Sequence, residues 1–175
     1  MINQEKDRFP EAQKTIDEMR FHIRLVQKYL SHLIDKLTTR GVHHDESKWD
    51  EEYEFPLFLN YTPKLKTCSY GSPEYKQYLK ELKPALDHHY QLNRHHPEHH
   101  KGDPGGIAGM NLVDLMEMLC DWLAATERHP DGNILKSIEI NQKRFGYSDD
   151  VKSILERTAA ILIPYIERNN NESTA

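Results

Sequence analysis

The chain has 175 residues, a length that fits one domain around one core, so we expect a single domain over residues 1–175. Its 37% hydrophobic residues exclude a disordered chain, and its net charge of −5 without a basic block argues against duplex nucleic acid as a partner. No apolar run approaches the ~20 residues of a membrane span, and no signal-peptide pattern opens the chain, so we expect a cytoplasmic protein with no membrane partner.

The first helix is predicted from about Pro10 to Arg40, with Gly41 as its stop. Apolar residues recur there at steps of three and four, as on one face of a helix: Ile16, Met19, Ile23, Val26, Leu30, Leu33 and Leu37. The acidic and aromatic segment from Trp49 to Phe55 predicts a short second helix that Pro56 ends. Residues 57–71 show little periodicity and are predicted to form a loop.

Four further helices follow, each with a residue suited to cap its start or a clear apolar period. They are predicted from Pro73 towards His96 with a bend or break at Pro84, from Leu112 to about Arg128, from Ile134 to Phe145, and from Val151 to Arg168. A polar, flexible tail is expected at 169–175. Since no segment alternates with a period of two, the fold class is predicted as an all-α bundle of five to seven helices.

Histidine is the unusual residue of this sequence, with 11 copies, and it is the commonest metal ligand among side chains. In the third helix an apolar stripe turns into imidazoles while staying on one face, which favours His89 and His96 as inward-facing ligands. A shift of register at Pro84 would instead bring His88 and His95 to that face.

Three carboxylates interrupt the apolar fourth helix on a single face: Asp114, Glu117 and Asp121. A carboxylate among Leu, Met and Trp is costly unless it is paired or binds a metal, so Asp121 is a candidate ligand. Asp114 stands three residues after Asn111, where a carboxylate also helps a helix to start, and both roles stay open for it.

Two earlier positions offer further ligands. His22 falls on the inward face of the first helix, where a histidine is either a ligand or a satisfied core residue. His44 and Asp45 are adjacent and provide an imidazole and a carboxylate together.

The order of these residues resembles the HD-domain superfamily of metal-dependent phosphohydrolases, whose pattern is H, then HD, then a distal D on a helical bundle. His22, His44–Asp45 and Asp121 match it in order. His44-Asp45-Glu46-Ser47-Lys48 is similar to the HDxxK of the HD-GYP branch, and the resemblance implies that Lys48 reaches a substrate phosphate. The GYP signature itself is replaced by Pro97–Gly102, so a cyclic dinucleotide is not the expected substrate.

A second resemblance is to uncharacterised phage and bacterial proteins with HDxSK and HHx3NxHH motifs, which Asp45, Ser47, Asn93 and neighbouring residues match. The resemblance to that family implies no particular reaction. The resulting ligand set is His22, His44, Asp45, His89, His96 and Asp121, holding one or two divalent transition ions among Mn, Fe, Co, Ni and Zn.

The HD resemblance implies a small phosphorylated substrate, a class that includes nucleotides. It also implies roles for the residues near the ions. Asp45, Lys48 and Glu98 are expected to act in catalysis, Glu98 as an orienting group or proton acceptor. Asn93, Arg94 and His95 are expected to bind substrate. For Lys48, Arg94 and Glu98 a plain solvated charge is the alternative.

Three functions remain open at this point. The first is hydrolysis of a phosphate ester, and the second is a di-iron oxygenase on the same ligands. The third is a non-catalytic module, regulatory or phage-derived, in which metal is structural or absent.

Overall fold

A computed structural model describes residues 12–68, 72–128 and 132–172. Within those ranges the chain forms six α-helices and three short 3-10 helices, with no strand, which confirms the predicted all-α architecture of five to seven helices. Two compact units are present, one ending at Val42 and one beginning at His43. The expectation of one domain stays a prediction. No helix in the described ranges has both the length and the apolar character needed to cross a bilayer.

The first unit contains helix α1, Gln13–Val42, in which no residue is buried. The helix continues through Gly41, where we expect its stop, and the predicted start at Pro10 lies outside the described residues. Its apolar stripe is largely exposed, with Met19 at 62% and Leu30 at 55%.

The second unit carries the other five α-helices: α2 Phe55–Thr67, α3 Pro73–Leu92, α4 Leu112–Glu127, α5 Ile134–Phe145 and α6 Asp149–Glu172. Three 3-10 helices lie between them, at Glu46–Trp49, Pro97–His99 and Gly106–Gly109. Helix α5 has its predicted bounds, and α4 ends one residue before the predicted Arg128. Helix α6 continues past Asn169, where we expect the tail to begin, and residues 173–175 lie outside the described residues.

The prediction for residues 49–67 is wrong. Instead of a helix over Trp49–Phe55 and a loop after it, the helix begins at Phe55 and continues to Thr67, within the segment expected to be a loop. Residues 69–71 of that segment lie outside the described residues. Pro56 stands in the first turn of α2, where a residue without an N–H leaves no helical hydrogen bond unmade, so it starts the helix and does not end it.

Helix α3 also differs from its prediction, because it ends at Leu92 and Pro84 does not break it. Asn93 leaves the helix with φ −101° and ψ 107°, and its side-chain amide donates to the carbonyl oxygen of His89 at 2.8 Å. His95 and His96 therefore follow the helix in a turn, so helical periodicity does not govern which way they face.

The core of the second unit lies around α4. Met118 and Leu119 are 1% exposed and pack with Ile138 of α5 and with Leu155 and Ala159 of α6. The start of α4 is held by a reciprocal cap in which Asn111 and Asp114 each accept the other's backbone N–H, at 3.0 and 3.1 Å. This confirms the capping role for Asp114. Rigid packing of α4 fixes the positions of the carboxylates that it carries.

Candidate metal centre

Asp45 lies at the middle of a cluster of imidazoles and carboxylates. Its backbone is left-handed, with φ 58° and ψ 21°, a conformation that few residues other than glycine adopt but that Asp tolerates. Such local strain is characteristic of functional sites. Its two carboxylate oxygens face two different sets of side chains.

The first set, called here the imidazole group, consists of Asp45, His89, His95 and His96, whose ligand atoms all lie within 4.8 Å of one another. Oδ1 of Asp45 lies 3.2 Å from Nε2 of His89 and 3.4 Å from Nε2 of His95. Nε2 of His96 lies 3.0 Å from Nε2 of His89. Three imidazole nitrogens and one carboxylate oxygen thus converge on one point.

Two of these converging atoms are buried without a hydrogen-bond partner, Oδ1 of Asp45 and Nε2 of His95. The side chain of His95 is only 1% exposed, so bulk water does not reach it. Buried polar atoms are nearly always paired, and an unmade bond costs about 1–3 kcal/mol. A cation between these atoms would satisfy both, so the arrangement of the residues fits a metal ion.

The second set, the acidic group, consists of His44, Asp45 and Asp121. Nε2 of His44 lies 3.3 Å from Oδ2 of Asp45 and 3.7 Å from Oδ1 of Asp121. These side chains are 15–28% exposed, so this group is nearer to solvent than His89 and His95. Asp45 belongs to both groups and offers a different oxygen to each.

Two further buried carboxylates contact the outer nitrogens of the imidazoles. Glu54 is fully buried, and its two oxygens lie 2.9 Å from Nδ1 of His88 and 2.9 Å from Nδ1 of His89. Oε1 of Glu117 lies 3.0 Å from Nδ1 of His44 and 3.2 Å from Nδ1 of His95.

The electrostatics of the cluster reflect this concentration of acids. The nearby carboxylates of Asp121, Asp45 and Glu117 raise the pKa of His44 to about 11. Burial alone would raise the pKa of Asp45, but the adjacent imidazoles of His44, His89 and His95 hold it well below its usual range. Without a metal, protonated imidazoles have to balance the negative charge of the carboxylates. A divalent cation would supply that positive charge instead.

His96 is different, because burial and the neighbouring His95 and His89 lower its pKa to about 3. Its imidazole is therefore neutral across the physiological range. A neutral imidazole has a lone pair available for a metal, which is the state that coordination requires.

A family model matches residues 11–168, most of the 175-residue chain and every residue of both groups. The chain belongs to DUF5662, a family of unknown function. Neither a curated protein nor a solved structure matches the chain.

In this DUF5662 chain the structure brings together five of the six ligands expected from sequence: His44, Asp45, His89, His96 and Asp121. The sixth, His22, is an exposed side chain on α1 in the first unit. Its role as a ligand stays a prediction.

Residues expected to bind substrate are held in other contacts. His95 lies among the candidate ligands of the imidazole group. Asn93 donates to Oγ of Ser47 at 2.7 Å. Arg94 forms two hydrogen bonds to Asp114, from Nε at 3.2 Å and Nη2 at 2.9 Å. For Asn93 and Arg94 substrate binding stays a prediction, with a structural contact now assigned to each.

The residues expected to act in catalysis differ in their distance from the cluster. Lys48 forms an ion pair with Oδ2 of Asp45, and its side chain is 40% exposed. Glu98 forms an ion pair with Arg144 at 2.7 Å. Lys48 is thus in contact with the candidate metal centre, whereas the role of Glu98 as proton acceptor stays a prediction.

Sequence reasoning missed Glu54 and did not select Glu117 as a functional residue. Glu54 is one of several acids in residues 50–54, and no local pattern distinguishes it from its exposed neighbours. Glu117 does carry a signal, since it shares the face of Asp121 on an apolar helix.

Proposed function

We propose that this protein is a metal-dependent phosphohydrolase of the HD type, acting on a small phosphate ester at the imidazole and acidic groups. The observation that carries the proposal is the convergence of Asp45 with four imidazoles and Asp121, including two buried atoms without hydrogen-bond partners. The HD resemblance rests on His22, His44–Asp45 and Asp121, and of these His44, Asp45 and Asp121 are neighbours in space.

The donor atoms favour a first-row transition ion. Mixed imidazole and carboxylate ligands suit Mn, Fe, Co, Ni or Zn, whereas Ca and Mg prefer oxygen donors. Two ions are proposed because the two oxygens of Asp45 face different groups, so that this carboxylate can bridge them. The imidazole group, with three imidazole donors and little exposure to solvent, is proposed as the tighter site.

An ion held by these residues would lower the pKa of a bound water towards neutrality and would withdraw charge from a phosphoryl oxygen. The chain's own residues supply the rest. Lys48 places an ammonium group beside Asp45 with 40% of its side chain exposed, so it can contact a phosphate arriving from solvent. Helix α4 holds Asp121 on a packed core, which keeps the acidic group in one geometry.

The test combines metal analysis with a panel of phosphomonoesters, phosphodiesters and nucleotides. The purified wild-type protein, Asp45→Asn and Asp121→Asn are compared, with Asp35→Asn on the exposed surface of α1 as the matched control. We expect metal and hydrolysis in the wild type and the control, loss of both in Asp45→Asn, and loss of hydrolysis with partial metal loss in Asp121→Asn.

Three outcomes would contradict the proposal. If Asp45→Asn retained its metal, the assignment of the metal site to the imidazole and acidic groups would be wrong. Iron with a mixed-valence EPR signal and no hydrolysis would favour a di-iron oxygenase. A metal-free wild type with full stability in chelator and no turnover would favour a non-catalytic module.

A further inference from the structure

A histidine that binds a metal through Nε2 must carry its remaining ring proton on Nδ1. The group that accepts this proton decides both the tautomer and the orientation of the ring. In this protein Nε2 of His44, His89 and His95 faces Asp45, so the acceptor at each Nδ1 is the decisive contact.

For His89 the acceptor is Glu54. Three atoms approach Nδ1 of His89: Oε2 of Glu54 at 2.9 Å, Oγ of Ser47 at 3.1 Å and Nδ2 of Asn93 at 3.1 Å. The amide of Asn93 already donates to Ser47 at 2.7 Å and to the carbonyl of His89 at 2.8 Å, which uses both its protons. A carboxylate can only accept, so the short contact to Glu54 places the proton on Nδ1.

For His44 and His95 the acceptor is Glu117. A single oxygen, Oε1, lies 3.0 Å from Nδ1 of His44 and 3.2 Å from Nδ1 of His95. One of these imidazoles belongs to the acidic group and the other to the imidazole group. Glu117 itself is 9% exposed, so water competes little for these bonds.

We propose that Glu54 and Glu117 are positioning residues which fix the Nδ1–H tautomers of the metal-binding histidines, Glu54 for the imidazole group alone and Glu117 for both groups. The inference rests on the proposed metal centre. Loss of such an outer partner typically lowers metal affinity about 10–100-fold. The two glutamates should therefore differ in which binding step they affect.

The test is a titration of chelator-treated protein with Zn²⁺ and with Co²⁺, the latter followed by its visible absorption. In the wild type we expect a tight and a weak step. Glu54→Gln should weaken the tight step about 10–100-fold and leave the weak step unchanged, whereas Glu117→Gln should weaken both. Two exposed glutamates serve as matched controls, Glu51→Gln three residues before Glu54 and Glu127→Gln on the same helix as Glu117, and both should bind as the wild type does.

A second measurement does not depend on the folding of any variant. Long-range ¹H–¹⁵N NMR of the zinc-loaded wild type reports the tautomer of each histidine directly. We expect Nδ1–H at His44, His89 and His95.

Some outcomes would overturn the inference alone, and another would also overturn the proposed function. Wild-type affinity in both glutamine variants, or Nε2–H at His89 and His95 in the loaded protein, would overturn the inference while leaving the metal centre standing. A wild type that binds neither ion would overturn the proposed function and this inference with it.

Discussion

Asp45→Asn offers the sharpest test of the metal centre, because Asp45 is the one residue that contributes an oxygen to both groups. An ion present at 100 times its Kd stabilises a folded protein by about 2.7 kcal/mol. In a chain of this length 1 kcal/mol corresponds to about 2–4 °C in Tm, so excess metal should raise the Tm of the chelated wild type by about 5–11 °C.

The same metal concentration should stabilise the variant far less. If the loss of one oxygen from each group weakens binding about 100-fold, the ion is then only at its Kd. The stabilisation falls to about 0.4 kcal/mol, or about 1–2 °C in Tm. Asp121→Asn alters the acidic group alone and should retain the rise that comes from the imidazole group.

The assay is thermal unfolding followed by circular dichroism, with and without Zn²⁺ or Mn²⁺, on protein first treated with chelator. The quantity compared is the rise in Tm caused by metal, which removes any effect of a substitution on the metal-free protein. Asp35→Asn should show the full rise. A rise in Asp45→Asn equal to that of the wild type would refute the assignment of Asp45 as a shared ligand.

Three further predictions concern the framework of the second unit. Burial and Glu156 raise the pKa of Tyr147 to about 12, so the protein should lose stability as pH rises from about 10 to 12, and Tyr147→Phe should flatten that decline in Tm. Leu119→Ala, at a position 1% exposed, should cost about 2–5 kcal/mol in chemical denaturation, and a cost below 1 kcal/mol would contradict its place in the core. Asp114→Asn weakens a helix cap and the ion pair to Arg94, so it should lower Tm while metal content stays at the wild-type value; loss of metal would show that Asp114 is a ligand after all.

The parts of the fold that the sequence predicted correctly are those whose signals are local. Helices α4 and α5 begin after Asn111 and Asn133, whose side chains accept a backbone N–H of the first turn, and each then carries a continuous apolar period. Helix α2 was mispredicted because Pro56 has two opposite meanings, a stop within a helix and a favourable residue in its first turn. The two meanings can be told apart only by knowing where the helix begins. No side-chain cap marks the start of α2, so the sequence does not show that position.

The candidate ligands are recognisable from sequence by residue type, but the directions of His89, His95 and His96 depend on where α3 ends. Counting helical steps selects His89 and His96 and sets His95 aside, which assumes that the helix continues past Asn93. Since the chain leaves the helix there, both His95 and His96 turn towards Asp45. Residue type therefore selected side chains that converge in the structure, whereas periodicity could not choose among adjacent histidines.

Asp114 and Asp121 show most clearly why a binding site cannot be assigned from sequence alone. Both are aspartates on the same face of the same apolar helix, and the sequence offers similar reasons for each to bind a cation. Asp114 meets Arg94 and the cap of Asn111, so its charge is balanced within the protein framework. Asp121 meets an imidazole, His44, which also faces Asp45. The difference lies in residues that are 20 and 77 positions away in the chain, so burial of a carboxylate predicts that a cation is needed but not whether that cation is an arginine or a metal ion.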